Sequence, residues 1–170
     1  MKLFLRGLAG LVLLVLLPAL IAQICGKVRA KKETAILISR LPSLGLKDIQ
    51  GRPTREHAAG RSIWLIFFHT TCDYCRMEAE SMADTEGNDS IDIWMVSTEP
   101  AGKLSSFSRR YGLDNRKNVR FFSDTTGVAL QLFDVTSVPS SFLYNSDGKL
   151  VKAHRGLIKM EAVLKQLNSG

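Results

Sequence analysis

Apolar residues fall in a few blocks separated by polar, glycine-bearing stretches. The first block, Leu8 to Ile24, is broken only by Gly10, Pro18 and Gln23, and it is long enough to cross or nearly cross a bilayer. The block Ile63-Trp64-Leu65-Ile66-Phe67-Phe68 is continuously apolar and rich in aromatic and β-branched residues, the pattern of a strand buried on both faces. It predicts a central strand ending at His69. Arg76 to Thr85 contains no Gly or Pro and predicts a helix, broken at Glu86-Gly87-Asn88-Asp89 before a second strand, Ile91 to Val96. Lys103 to Tyr111 predicts a helix closed by Gly112, Val119 to Phe122 a short strand, and Gly127 to Phe133 a helix opened by Asp124, Thr125 or Thr126. Ser140 to Tyr144 and Lys149 to His154 flank Asn145-Ser146-Asp147-Gly148 as a hairpin with an Asp-Gly turn, and Lys159 to Leu167 is a terminal helix. Ahead of the central strand, Leu41 to Ile49 and the turn Gln50-Gly51-Arg52-Pro53 predict a leading hairpin, with a second turn at Ala59-Gly60-Arg61.

The resulting alternation is α/β: a mixed sheet flanked by helices. At 170 residues the chain fits one ordinary domain with an N-terminal extension. We divide it into a membrane anchor or signal segment (1–26), a basic tether passing into a first strand (27–38) and the globular domain (39–170). Cleavage after Ala22 would put Leu20 where a small residue is wanted, so a retained anchor is expected. Cys25 ends the apolar run, but Ile24 precedes it where a lipoprotein signal wants a small residue, so Cys25 is expected to be a bystander thiol.

Net charge is +7, yet Lys2, Arg6, Lys27, Arg29, Lys31 and Lys32 supply six positive charges and Glu33 one negative, leaving about +2 for residues 34–170. Basic residues beside an apolar helix suit anionic headgroups, so a membrane partner is expected and nucleic acid is not. Positive charge flanks both ends of the apolar run; a lone N-terminal apolar segment acts as an export signal, which puts the domain outside the cytoplasm, on the periplasmic face.

The chemistry sits at Cys72-Asp73-Tyr74-Cys75, where the central strand gives way to a helix. A helix start offers unpaired N–H groups and the positive end of the macrodipole, which favour a thiolate. Cys72 is the expected nucleophile. Cys75, deeper in the helix, is the expected resolving thiol that displaces product from a mixed disulfide.

Three segments carry a resemblance to a known family. They are Leu46-Lys47-Asp48-Ile49-Gln50-Gly51-Arg52-Pro53, Phe67-Phe68-His69-Thr70-Thr71-Cys72-Asp73-Tyr74-Cys75-Arg76-Met77-Glu78, and Val138-Pro139-Ser140-Ser141-Phe142-Leu143-Tyr144-Asn145-Ser146-Asp147-Gly148-Lys149-Leu150. Together they resemble the thioredoxin-like superfamily, specifically its membrane-tethered TlpA/ResA type, over about residues 41–167. The resemblance implies a thioredoxin-like fold with an N-terminal β-hairpin and a central insertion within Asn88 to Asp134. It implies a thiol-disulfide oxidoreductase whose redox centre is the Cys72–Cys75 dithiol/disulfide, with no other cofactor and no metal. It places Val138 and a cis Pro139 against the active site as a substrate-binding edge. Glu78 falls where the family carries a buried acid that exchanges protons with the second thiol. Expected partners are protein disulfides, with apocytochromes awaiting haem among them, and a membrane-embedded electron donor.

Some positions depart from the family pattern. Thr71 stands where Trp is common, Tyr74 where Pro is frequent, and Asp73 adds a negative charge, so partner preference and potential are expected to differ. Ile66 replaces the buried Asp of thioredoxin itself. Leu65 and His69 occupy the Pro and Thr positions of a peroxiredoxin pattern, which speaks against a peroxidase. The rival reading is a metal- or partner-binding module using Cys72, Cys75 and His69; His57 and His154 have no partner in sequence.

Overall fold

The structure, a computed structural model, describes residues 2–53, 60–84 and 90–168, and within these the side chains from residue 17 to residue 167. His57, Ala59 and the predicted breaker at 86–89 lie outside the described residues. The chain divides into two compact units, one ending at Ile36 and one beginning at Leu37.

The first unit is helix α1 (Lys2–Leu37), with Pro18 inside it. The stretch 27–37, expected as a tether entering a strand, is helical. Its Ala, Lys, Arg and Glu are good helix formers, and extending an existing helix avoids the cost of a new nucleus. Among the described residues no helix is long and apolar enough to cross a membrane; about half of the Leu8–Ile24 run falls on residues whose side chains are not described.

The second unit contains, in order, β1 (Ser62–Phe67), α2 (Asp73–Asp84), β2 (Ile91–Ser97), α3 (Ala101–Arg110), β3 (Val119–Ser123), α4 (Val128–Leu132), β4 (Ser140–Tyr144), β5 (Leu150–Arg155) and α5 (Met160–Asn168). The five strands form one mixed sheet in the order β3-β2-β1-β4-β5. The three strands β1, β2 and β3 run parallel to one another, while β4 is antiparallel to both β1 and β5.

Side chains alternate across a strand, so the unbroken apolar run of β1 supplies two cores. Ile63, Leu65 and Phe67 pack with Trp94, Phe122, Phe133, Phe142 and Tyr144 on one face. Trp64, Ile66 and Phe68 pack with Met82 of α2, Leu104 of α3 and Met160 of α5 on the other. Burying residues 63–68 contributes on the order of 10 kcal/mol, comparable to the net stability of a whole domain.

The leading hairpin is shorter than two strands: one bridge, Lys47 to Pro53, closes the turn, and a second joins Asp48 to Phe122 of β3. Asp48 organises it. Its buried carboxylate accepts the N–H groups of Gln50 and Arg52 at 3.0 and 2.8 Å, Arg52 Nε at 2.7 Å and Arg120 at 3.0 Å. Burial pulls the Asp48 carboxyl up, but these bonds and the Arg120 charge outweigh it and leave it below the ordinary value. Of the three expected caps for α4, Asp124 acts: its carboxylate accepts the N–H groups of Val128 and Leu130, each at 3.1 Å.

Candidate active site

β1 ends at Phe67, and residues 68–72 carry the chain to α2. The helix begins at Asp73, three residues earlier than the apolar pattern suggested, because Cys72 itself caps it. The Cys72 carbonyl accepts the Arg76 N–H at 3.1 Å, and its sulfur accepts the Cys75 N–H at 3.3 Å. This is N-cap geometry with sulfur in place of the usual oxygen.

The two thiols are both free; Cys72 is half-buried and Cys75 is fully buried. Burial pushes the Cys75 thiol well above its ordinary value, helped by its bond to Cys72 and by the charges of Cys72 and Glu78. Across from the pair, the Cys72 thiol points at the Val138 carbonyl, 3.7 Å away. The Val138–Pro139 peptide bond is cis, and the Pro139 carbonyl accepts the Gly156 N–H at 2.8 Å.

Glu78 lies on the buried side of α2, fully out of solvent. Its Oε1 accepts the Ile158 N–H at 3.4 Å, while Oε2 has no partner among the described residues. Burial pushes the carboxyl up to about 8, with the Ile158 bond opposing. Glu78 lies close enough to Cys75 for its carboxylate, once ionised, to push that thiol further up. Asp73 and Tyr74 sit on the open side of the same helix; Asp73 pairs with Arg76 at 3.0 Å, and Tyr74 is 62% exposed. Thr71 is exposed, its hydroxyl 2.8 Å from His69 Nδ1.

One residue of this site escaped the sequence reading. Glu99, two residues past β2, is buried and accepts the Thr70 N–H at 2.7 Å, the Thr70 hydroxyl at 2.8 Å and the Lys103 ammonium at 3.4 Å. His69 Nε2 stands 3.5 Å from it. Burial raises its carboxyl, but the Thr70 bonds, the His69 charge and Lys103 overcome that and hold it below the usual range. An acid between a strand and a helix reads in sequence as a partner of the helix dipole, which is why it did not stand out. His154 bonds the Leu157 carbonyl at 3.3 Å, and Cys25 is exposed on α1. Among the described residues no three His, Cys, Asp or Glu side chains are arranged to hold a metal ion.

A Cys-x-x-Cys pair capping the helix after the central strand of a five-stranded mixed sheet, faced by a cis-proline loop, defines a thioredoxin-like protein. Residues 38–153 match the AhpC/TSA family, and the chain belongs to that family. It is 29% identical over 162 residues to the thiol-disulfide oxidoreductase ResA of Bacillus subtilis, covering 92% of this chain and 88% of that one. It is 27% identical to the ResA of Geobacillus thermodenitrificans, covering 93% and 91%. Among solved structures, StoA from Bacillus subtilis shares the fold with a TM-score of 0.57 at 21% identity, covering 74% and 97%. A secreted Mycobacterium tuberculosis disulfide oxidoreductase shares it with a TM-score of 0.62 at 20% identity, covering 75% and 96%. The protein is a thiol-disulfide oxidoreductase.

Proposed function

We propose that the protein is tethered to a membrane by its N-terminal segment, with the globular unit outside the cytoplasm, and that it reduces protein disulfides through a Cys72/Cys75 cycle. The observation that carries the thiol cycle is the asymmetry of the pair: a half-exposed Cys72 sulfur at the helix cap, accepting at 3.3 Å the backbone N–H of Cys75, whose own thiol is buried.

In this reading the Cys72 thiolate attacks a substrate disulfide; one S–S bond breaks, a mixed disulfide forms, and the departing substrate thiolate takes up a proton. Cys75 then loses its proton and attacks the Cys72 sulfur, closing the internal disulfide and releasing the second substrate thiol. Two electrons have passed to the substrate. Glu78 is the acid-base partner of Cys75: a carboxyl poised near 8 accepts and returns a proton at near-neutral pH. Substrate lies along Val138 and Pro139 as an added strand, its sulfur beside the Val138 carbonyl that Cys72 faces. A membrane-embedded donor returns the dithiol to its reduced form. Apocytochromes awaiting haem are the substrate class the family likeness suggests, and no further cofactor is needed for the cycle.

The metal-module reading is less well supported, because both ring nitrogens of His69 are directed at protein partners, Thr71 and Glu99. The peroxidase reading is less well supported too, since Leu65, at the position of the peroxiredoxin proline, is sealed in β1.

The test is a pair of variants in the full chain. Cys75→Ser is expected to trap mixed disulfides at Cys72, and Cys72→Ser to abolish disulfide reduction. Full turnover in Cys72→Ser would overturn the nucleophile assignment. Redox titration of Cys72 and Cys75 by alkylation gives the direction: a midpoint near thioredoxin's, about −270 mV, marks a reductant, and one near −120 mV an oxidant.

A further inference from the structure

On one side of Cys72, Thr70, Thr71 and Arg76 face Lys103, Ser106 and Arg110 of α3 across an open groove of about 390 Å³. Three of its lining residues are cations and none is acidic. The Arg76 guanidinium donates to the Thr70 carbonyl at 3.2 Å and to Asp73 at 3.0 Å. Asp73 is at the rim, its side chain 86% exposed, and a pair that open holds its partner weakly. Lys103 reaches one oxygen of Glu99 at 3.4 Å, yet its side chain is 61% exposed. Arg110 lies over the Tyr111 ring, 5.8 Å from its centroid, and has no carboxylate partner among the described residues. No acid lines the groove itself: Asp73 is at the rim, Glu99 is buried, and Glu80 and Asp84 line the adjoining pocket that Arg110 shares.

The groove's position fixes who meets its cations. Thr71 is joined directly to Cys72, and Arg76 is one turn into the helix that Cys72 caps. A polypeptide whose sulfur approaches Cys72 while its backbone lies along Val138 must carry its flanking residues across the neighbouring surface. Guanidinium and ammonium groups beside hydroxyls are donors only, and their complement is a carboxylate, which arginine can take with two parallel bonds.

We infer that this groove receives acidic side chains of the protein substrate, so that the enzyme selects disulfides with Asp or Glu within a few residues of the reactive cysteine. This rests on the reading of Cys72 as the attacking sulfur. The basic groove adds an electrostatic docking element to the exposed apolar surface of Tyr74 and Met77 on α2, acting through encounter rate and orientation.

The test uses the full chain in neutral detergent micelles and two fluorescent peptides, identical except that one carries four Glu and the other four Gln around a central pair of residues. With Ser at that pair, binding is read by anisotropy at low salt. Expected is tighter binding of the Glu peptide, weakened about threefold in Arg110→Gln or Lys103→Gln and unchanged in Lys152→Gln, which removes the same charge from exposed β5. Salt should erase the preference. Equal binding of the two peptides, or equal losses in Arg110→Gln and Lys152→Gln, would overturn the assignment. With a disulfide at the central pair, the same peptides report on chemistry separately: no reduction of either, with the binding preference intact, would strike the proposed thiol cycle and leave the groove assigned as an acidic-peptide site.

Discussion

Glu99 holds Thr70 by both its N–H and its hydroxyl, at 2.7 and 2.8 Å, and so ties the residues ahead of Cys72 to the end of β2. The Thr70 carbonyl is taken from the other side by Arg76. The segment is thus held from two elements, and Cys72 inherits its place from that clamp. Replacing Glu99 by Ala strands a backbone donor and a hydroxyl with no acceptor, and is expected to cost about 3 kcal/mol. Glu99→Gln, which keeps an acceptor, should cost less. Urea unfolding of both variants checks this, and a loss under about 0.5 kcal/mol in Glu99→Ala would mean that the clamp carries no weight.

Glu78 gives stability a pH dependence of definite sign. Its folded carboxyl is raised to about 8 from 4.5, so between those values the folded chain keeps a proton that the unfolded chain has lost. Stability must then fall as pH rises from about 5 to about 8, by on the order of 4 kcal/mol. Glu78→Gln cannot ionise and should remove that part of the slope. The comparison of wild type with variant at pH 5, 6.5 and 8 cancels the histidines, which titrate in both. Parallel pH profiles would show that Glu78 keeps an ordinary carboxyl.

Thiol labelling should separate the three cysteines. Iodoacetamide is expected to modify Cys25 and Cys72 in the native chain and to spare Cys75, which is fully buried and whose thiol is held protonated by that burial. Peptide mass mapping reads the sites, with full labelling of Cys75 appearing only in denaturant. Early labelling of Cys75 would contradict its burial.

Asp124→Ala removes the carboxylate that caps α4 through Val128 and Leu130. The expected loss is about 1–2 kcal/mol, with Asp124→Asn intermediate, measured by thermal unfolding. A neutral result would mean that α4 is held by Phe133 and its ring contacts with Phe67 and Phe142 alone.

Much of this fold could be read from hydrophobic pattern, since β1 is buried on both faces and its residues announce it. The same holds for the Cys72–Cys75 junction, where strand, turn and helix signals coincide, and for the hairpin, where Asp147-Gly148 fixes the turn. What pattern could not supply were contacts made across long sequence distances. Glu99 meets Thr70 from 29 positions away, and no local rule pairs them. The helix-forming pattern of α2 begins only at Arg76, whereas the helix itself starts at the Cys72 cap, where the Cys-x-x-Cys junction puts a helix start. The helical state of 27–37 went unread because its charge drew attention, whereas its residue types favour helix.

Asp73 and Tyr74 stand in water on the first turn of a helix whose opposite side, at Cys75, Glu78, Ala79 and Met82, is sealed. The two residues between the sulfurs can therefore be exchanged without disturbing the interior, while the sulfurs themselves stay fixed by the cap. Evolution, or an engineer, has there a dial for driving force that is mechanically separate from the frame: a small library at these two positions should spread reduction potentials while leaving melting temperature nearly constant.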